Sequence, residues 1–245
     1  MKVRLKKMII TFTSVLFAVS IFTNTICASG ISYNADELQE QTAWCWVACA
    51  RGLAEQEGIV TATQEEAVEY VKGAVVNTGG SLEELTRAAN YFSKGNGFVA
   101  LYRPLTFEEI VSSIDDGHII SASCGYFIGN YRMGGHSVLI IGYDVRKEKQ
   151  YLHYYDPLTG ETTEITYQYF CERPAGGKTL RYQYSVFYTE DEAMIASAAE
   201  FAKEWENQSQ NLDLHPFVIE CLGVIGICLI GGFTWCSVMT KRRQK

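Results

Sequence analysis

The hydrophobic pattern changes character along this chain. From about residue 45 to residue 116 the apolar positions recur at helical spacing; from residue 119 to residue 189 they fall in short, dense runs bounded by turn residues. The helical half opens at Cys45, where a Gln-rich lead-in gives way to Trp46-Val-Ala-Cys-Ala-Arg-Gly-Leu-Ala, and Gly58 stops the run. Three Thr/Ser-x-x-Glu sequences follow: Thr63 with Glu66, Ser81 with Glu84, and Thr106 with Glu109. In each, the hydroxyl and the carboxylate can satisfy each other's main-chain N–H, which marks a helix start.

The second half predicts strands over residues 119–124, 137–143, 150–155, 162–166 and 180–189. The run 137–143 is almost wholly Val, Leu and Ile, as expected of a strand crossing a sheet centre. Asp156-Pro-Leu-Thr-Gly160 supplies a turn between two of them. Helices first and a mostly antiparallel sheet second predict an α+β domain over residues 30–189.

Both flanks are different. Lys2, Arg4, Lys6 and Lys7 precede a charge-free stretch, residues 8–26, closed by Cys27-Ala28-Ser29. That is the pattern of a secretory signal over residues 1–29, cleaved near Ala28 or Ser29, with an uncleaved anchor as the alternative. Residues 190–216 are charged and alanine-rich, a helical stalk. Residues 217–240 hold an apolar run at 221–239, followed by the basic tail 241–245. About nineteen residues at 1.5 Å each nearly match a ~30 Å hydrocarbon core, so a single transmembrane helix is expected. The basic tail would stay cytoplasmic and the middle of the chain would face outward. The expected location is a cell membrane, single-pass, on a bacterium with one membrane.

Charge sharpens this picture. Residues 30–216 carry thirteen Lys and Arg against twenty-seven Asp and Glu, a net charge near −14. Such a surface excludes nucleic acid as a partner and favours a cationic peptide, although acidity also keeps an exported protein soluble.

The candidate chemistry lies in two islands, Gln39-Glu-Gln-Thr-Ala-Trp-Cys45-Trp and Gly134-Gly135-His136, the latter followed by Tyr154-Tyr155-Asp156-Pro157. A thiol at a helix N-terminus is stabilised as thiolate by the helix dipole, and an adjacent imidazolium adds to that. His136 opens an apolar strand behind two glycines and suits that partner role. Asp156 would accept from the second ring nitrogen and fix the tautomer. Gln39, with the main-chain N–H of Cys45, would donate to the oxyanion of a tetrahedral intermediate. Gln41 competes for that role. His153 is the rival base, but strand alternation sets residues 153 and 155 opposite 154 and 156. His118 reads as a turn residue, Asp144 as a turn acceptor and Cys49 as a buried structural thiol. Trp44 and Trp46 either line a cleft or pack the helix. Cys124 and Cys171 are spaced for no diagnostic pattern, although an extracellular disulfide is open to them. No zinc-like spacing or phosphate-binding loop appears, so neither a metal nor a cofactor is expected.

The Gln-to-Cys spacing of six, the Cys-Trp pair, the His-bearing strand and the later Asp-Pro resemble the papain-like cysteine peptidases. The resemblance is strongest to bacterial secreted effector proteases and double-glycine leader peptidases of bacteriocin export, and it covers about residues 36–189. It implies hydrolysis of peptide bonds without a metal, with Gln39 as oxyanion donor, Cys45 as nucleophile, His136 as base and Asp156 as its orienter. The Cys-Gly-Ser-Cys-Trp block of papain is absent, and Asp stands where papain has Asn. Amidase or transpeptidase chemistry on the same site, self-processing at the stalk, and an inactive peptide-binding module are the alternatives.

Overall fold

The computed structural model describes residues 28–30, 38–198 except 59, 61 and 96, and residues 200 and 203. The expected secretory segment up to residue 27, the transmembrane run 221–239 and most of the stalk lie outside the described residues. Among the described residues no helix is long and apolar enough to cross a membrane.

Among the described residues, four helices of nine or more residues organise the first half. They are α1 (Cys45–Gln56), α2 (Gln64–Lys72), α3 (Leu82–Ser93) and α4 (Phe107–Asp115). All three Thr/Ser-x-x-Glu sequences form complete capping boxes, at the starts of α2, α3 and α4. Each also places two glutamates in the first turn, where they complement the helix dipole.

The sheet runs β2 (Phe98–Leu101), β8 (Lys178–Tyr188), β3 (Ile120–Ile128), β4 (Tyr131–Arg146), β5 (Lys149–Asp156) and β6 (Glu161–Thr166) in spatial order, antiparallel throughout. Strand β1 (Ala28–Gly30) pairs with β4, Ala28 opposite Asp144 and Gly30 opposite Gly142. The sheet therefore takes in two residues that the sequence assigned to the secretory segment. A short helix α5 (Tyr167–Cys171) and strand β7 (Glu172–Ala175), paired with β8, complete the domain. Sequence patterning missed β1, β2, α5 and β7, all five residues or fewer. It also started β4 too late: the strand begins at Tyr131, because a hairpin with β3 carries the exposed, weakly apolar stretch before Ser137.

Two apolar clusters form the core. One joins α1, α2 and α3 to Leu139, Ile141 and Tyr155 of the sheet. The other joins α4 and Phe170 of α5 to Ile120, Val138, Ile140, Tyr143 and Leu152. Burial of apolar surface on both sides, at about 25 cal/mol per Å², fixes the sheet between its helices. Trp44 and Trp46 both pack in the first cluster, each about 1% exposed. Their indole N–H groups donate to the carbonyls of Val76 (2.9 Å) and Thr78 (3.1 Å), tying the extended segment 75–80 to the start of α1.

Candidate active site

Cys45 is the first residue of α1, and its side chain is partly accessible. Unlike the other three helices, α1 has no side-chain cap and no acidic residue in its first turn. Its N-cap position holds Trp44, whose side chain is committed to the core. The first N–H groups of α1 and the positive end of its dipole are thus left for something other than the helix's own side chains. Cys49, one turn on, is fully buried. Burial first, then the nearby Cys45, push its thiol well above the usual range.

His136 sits on β4 opposite Cys124 of β3. Its Nε2 lies 2.7 Å from Asp156 Oδ1. The Cys45 side chain lies close enough to the ring to favour its charged form. With Nε2 engaged by the carboxylate, Nδ1 is the nitrogen left for the thiol. Burial favours the neutral ring, but the Asp156 hydrogen bond and the contact with Cys45 outweigh it, and the His136 pKa is raised to about 9.

Asp156 ends β5 at the Asp-Pro turn. Burial raises its pKa, but the hydrogen bond and charge of His136, the Leu158 N–H (2.9 Å) and the positive charge of Arg173 together hold it below the usual carboxylate value. Arg173 is a contributor the sequence did not announce. It lies on β7, a four-residue strand with no apolar alternation.

Gln39 stands where its neighbours hold it from three directions. Its main-chain N–H donates to the Pro157 carbonyl at 2.9 Å, beside Asp156. The buried side chain of Gln64 on α2 grips both adjacent residues: Nε2 donates to the Leu38 carbonyl (2.8 Å), and Oε1 accepts from the Glu40 N–H (3.2 Å). The Gln39 Nε2 donates to the Gln41 carbonyl at 2.8 Å, while its Oε1 is buried without a hydrogen-bond partner among the described residues. The rest of the lead-in is secured by Asn77, which accepts from the Ala43 N–H (3.0 Å) and donates to Thr42 Oγ1 (2.9 Å). Gln41 itself is exposed.

The structure thus brings Cys45, His136 and Asp156 together and pins Gln39 to the same Asp-Pro turn. It separates the other candidates. His153 faces Glu164 (3.7 Å) in a cluster with Asp144 and Arg146. Asp144 belongs to β4 rather than to a turn, and Arg146 pairs with it at 2.6 Å and with Glu164 at 2.5 Å. Asp144, His153 and Glu164 have donor atoms within 4.8 Å of one another, yet the Arg146 guanidinium already supplies the positive charge a cation would bring. His118 bonds Glu57 at 2.8 Å and packs against Tyr188 with the rings tilted at 46°. Cys124 and Cys171 are free thiols rather than a disulfide. Burial first, then the nearby Cys171 and Asp156 against Arg173, push Cys124 up to about 12.

Comparison with known proteins bears on the whole domain. A family model described as "Peptidase_C39 like family" matches residues 30–189. Among solved structures, the digestive procathepsin L 3 of Tenebrio molitor larval midgut is similar at 10% sequence identity and a TM-score of 0.40, covering 64% of this chain and 69% of that one. None of the curated proteins matches. With more than half its length matched by that model, the chain belongs to the Peptidase_C39 like family and is a cysteine peptidase.

Proposed function

We propose that Cys45, His136 and Asp156 are the catalytic triad of this peptidase, that Gln39 and the Cys45 N–H form its oxyanion hole, and that it works on the outer face of a membrane. The observation that carries the reading is the continuous contact from the Cys45 thiol through the His136 ring to the Asp156 carboxylate, at the uncapped start of α1.

In this scheme the thiolate of Cys45 attacks the scissile carbonyl carbon. Negative charge moves to the carbonyl oxygen, where preorganised donors are worth ~10²–10³ in rate. The C–N bond then breaks, the amine leaves with a proton from His136, and the acyl group stays on sulfur as a thioester. A water gives its proton back to His136 and attacks the thioester; the C–S bond breaks and the carboxylic product leaves. Asp156 keeps the ring oriented and favours its charged form in both half-reactions.

The location is supported by sequence. Residues 8–26 and 221–239 are free of Asp, Glu, Lys and Arg, and each has a basic cluster on one side, consistent with a domain between them held outside.

The test is cleavage of a proteome-derived peptide library by the full-length protein, read as new N-termini by mass spectrometry. Cleavage that is lost in both Cys45→Ala and His136→Ala is expected. Equal cleavage by Cys45→Ala, or none by the wild type, would overturn the assignment. Digestion of intact cells by an external protease should remove the domain, and its protection would overturn the outward orientation.

A further inference from the structure

Strand β4 outruns its neighbour on one side. β3 accompanies it from Tyr131 to Ile140, but β5 joins only at Leu139. On the β5 side, residues 131–138 have no strand beside them among the described residues, and residues 131–135 are all exposed. A strand edge of this kind presents main-chain N–H and C=O groups to whatever extended chain can reach them. Proteins guard such edges with charge, proline or a bulge. Here β6, at the end of the sheet, carries Glu161 and Glu164, and β7 carries Arg173 and Pro174. The open part of β4 has Tyr131, Met133, Gly134 and Gly135, with Arg132 as its one charge.

Two local details make the edge a receptive one. The register with β3 passes from Phe127–Arg132 to Tyr126–Gly134, so Met133 is an extra, bulged residue. Bulges of this kind re-aim side chains beside functional sites. At Gly134 nothing lies within 4 Å of where a Cβ would stand, which leaves clear space two residues before His136.

We propose that the peptide substrate binds by strand addition along this edge, its backbone pairing with residues 131–135 and its apolar side chains resting on Tyr131 and Met133. The proposal rests on the reading of Cys45 and His136 as the catalytic pair. The edge spans about 17 Å at ~3.3 Å per residue and runs directly into His136. A chain paired there is delivered to the thiol in extended form, and hydrogen bonding to main chain makes the recognition tolerant of sequence. Tyr131 and Met133, 79% and 57% exposed, then supply the preference for apolar residues.

The experiment takes the peptide that the full-length, detergent-solubilised protein cleaves fastest from the library and N-methylates its backbone one residue at a time. Only every second residue of an added strand donates to the edge. N-methylation at alternate positions on one side of the scissile bond should therefore lower kcat/KM by about tenfold, with little change at the positions between. A Tyr131→Ser, Met133→Ser variant should lower kcat/KM for the same peptide and leave iodoacetamide labelling of Cys45 unchanged. Uniform tolerance of N-methylation beyond the residues flanking the bond would overturn the proposal while leaving Cys45-dependent cleavage intact. A dimer that the double variant dissolves without loss of cleavage would also overturn it, assigning the edge to a second copy of the chain. Loss of Cys45 dependence itself would instead be a failure of the catalytic assignment.

Discussion

His136 is under two opposed influences. Burial favours the neutral ring, yet the adjacent carboxylate and thiol favour the charged one and prevail, raising its pKa to about 9. In the proposed chemistry the active form needs a protonated ring beside a thiolate, so activity should fall on the alkaline side as pH rises through about 9. Asp156→Asn removes the carboxylate behind the largest single raising contribution, and the alkaline limb of the kcat/KM profile should move to lower pH. An unchanged limb would assign that ionisation elsewhere. His153→Ala should leave kcat/KM within about twofold of wild type, because His153 shares its face with Glu164 rather than with Cys45. The separation of His153 from Asp156 was legible in the sequence as alternation along β5, with Tyr155 in the α1 cluster and Tyr154 in the other. That Asp156 reaches His136 follows from its place at the strand's end. The role of Gln64 was not legible. A glutamine in a helix's first turn reads as solvated surface, yet its buried amide holds the residues on either side of Gln39. Gln64→Ala leaves the Leu38 carbonyl and the Glu40 N–H without that partner, and should destabilise the domain by about 1–3 kcal/mol. It should also lower kcat more than it raises KM, which steady-state kinetics would separate.

Elements with strong local grammar were readable, and those held by tertiary pairing were not. The capping boxes placed the starts of α2, α3 and α4 because each is a reciprocal hydrogen-bond arrangement within four residues. Ser81→Ala should cost about 1 kcal/mol in denaturant unfolding and leave catalysis unchanged. The short strands β2 and β7 owe their conformation to pairing with β8, far along the chain, and carry no periodic signal. The pairing of the segment 75–80 with α1 was equally hidden. It depends on Gly80, where a Cβ would stand 2.4 Å from the buried Trp46 ring. Gly80→Ala should therefore lower stability by about 1–3 kcal/mol through overpacking, checked by thermal unfolding. A neutral result would show that Trp46 can shift without loss.

At the scale of the whole molecule, the sheet brings two distant parts of the sequence to one point. α1 packs on the helix-side face and sets Cys45 at its start, while β4 and β5 carry His136 and Asp156. The α+β order and the two islands could be read from sequence because patterning and residue type are local. The free state of Cys124 and Cys171 could not, because it depends on how β3 and α5 are placed. The same assembly sets a pH window for stability. The Asp156 carboxylate contributes above its unfolded pKa near 4, and that contribution is lost as pH falls through its depressed folded value. The His136 contribution is complete below its unfolded pKa of about 6.5 and is lost as pH rises through about 9.

The central claim, that Cys45 and His136 act as one reactive pair, is tested most directly by iodoacetamide labelling of each cysteine across pH, with His136→Ala alongside the wild type. Cys45 should be alkylated near pH 7 well before Cys49 and Cys124, whose thiols burial holds protonated, and the histidine change should slow it by at least about tenfold. Labelling of Cys45 no faster than a free thiol, and indifferent to His136, would contradict the account.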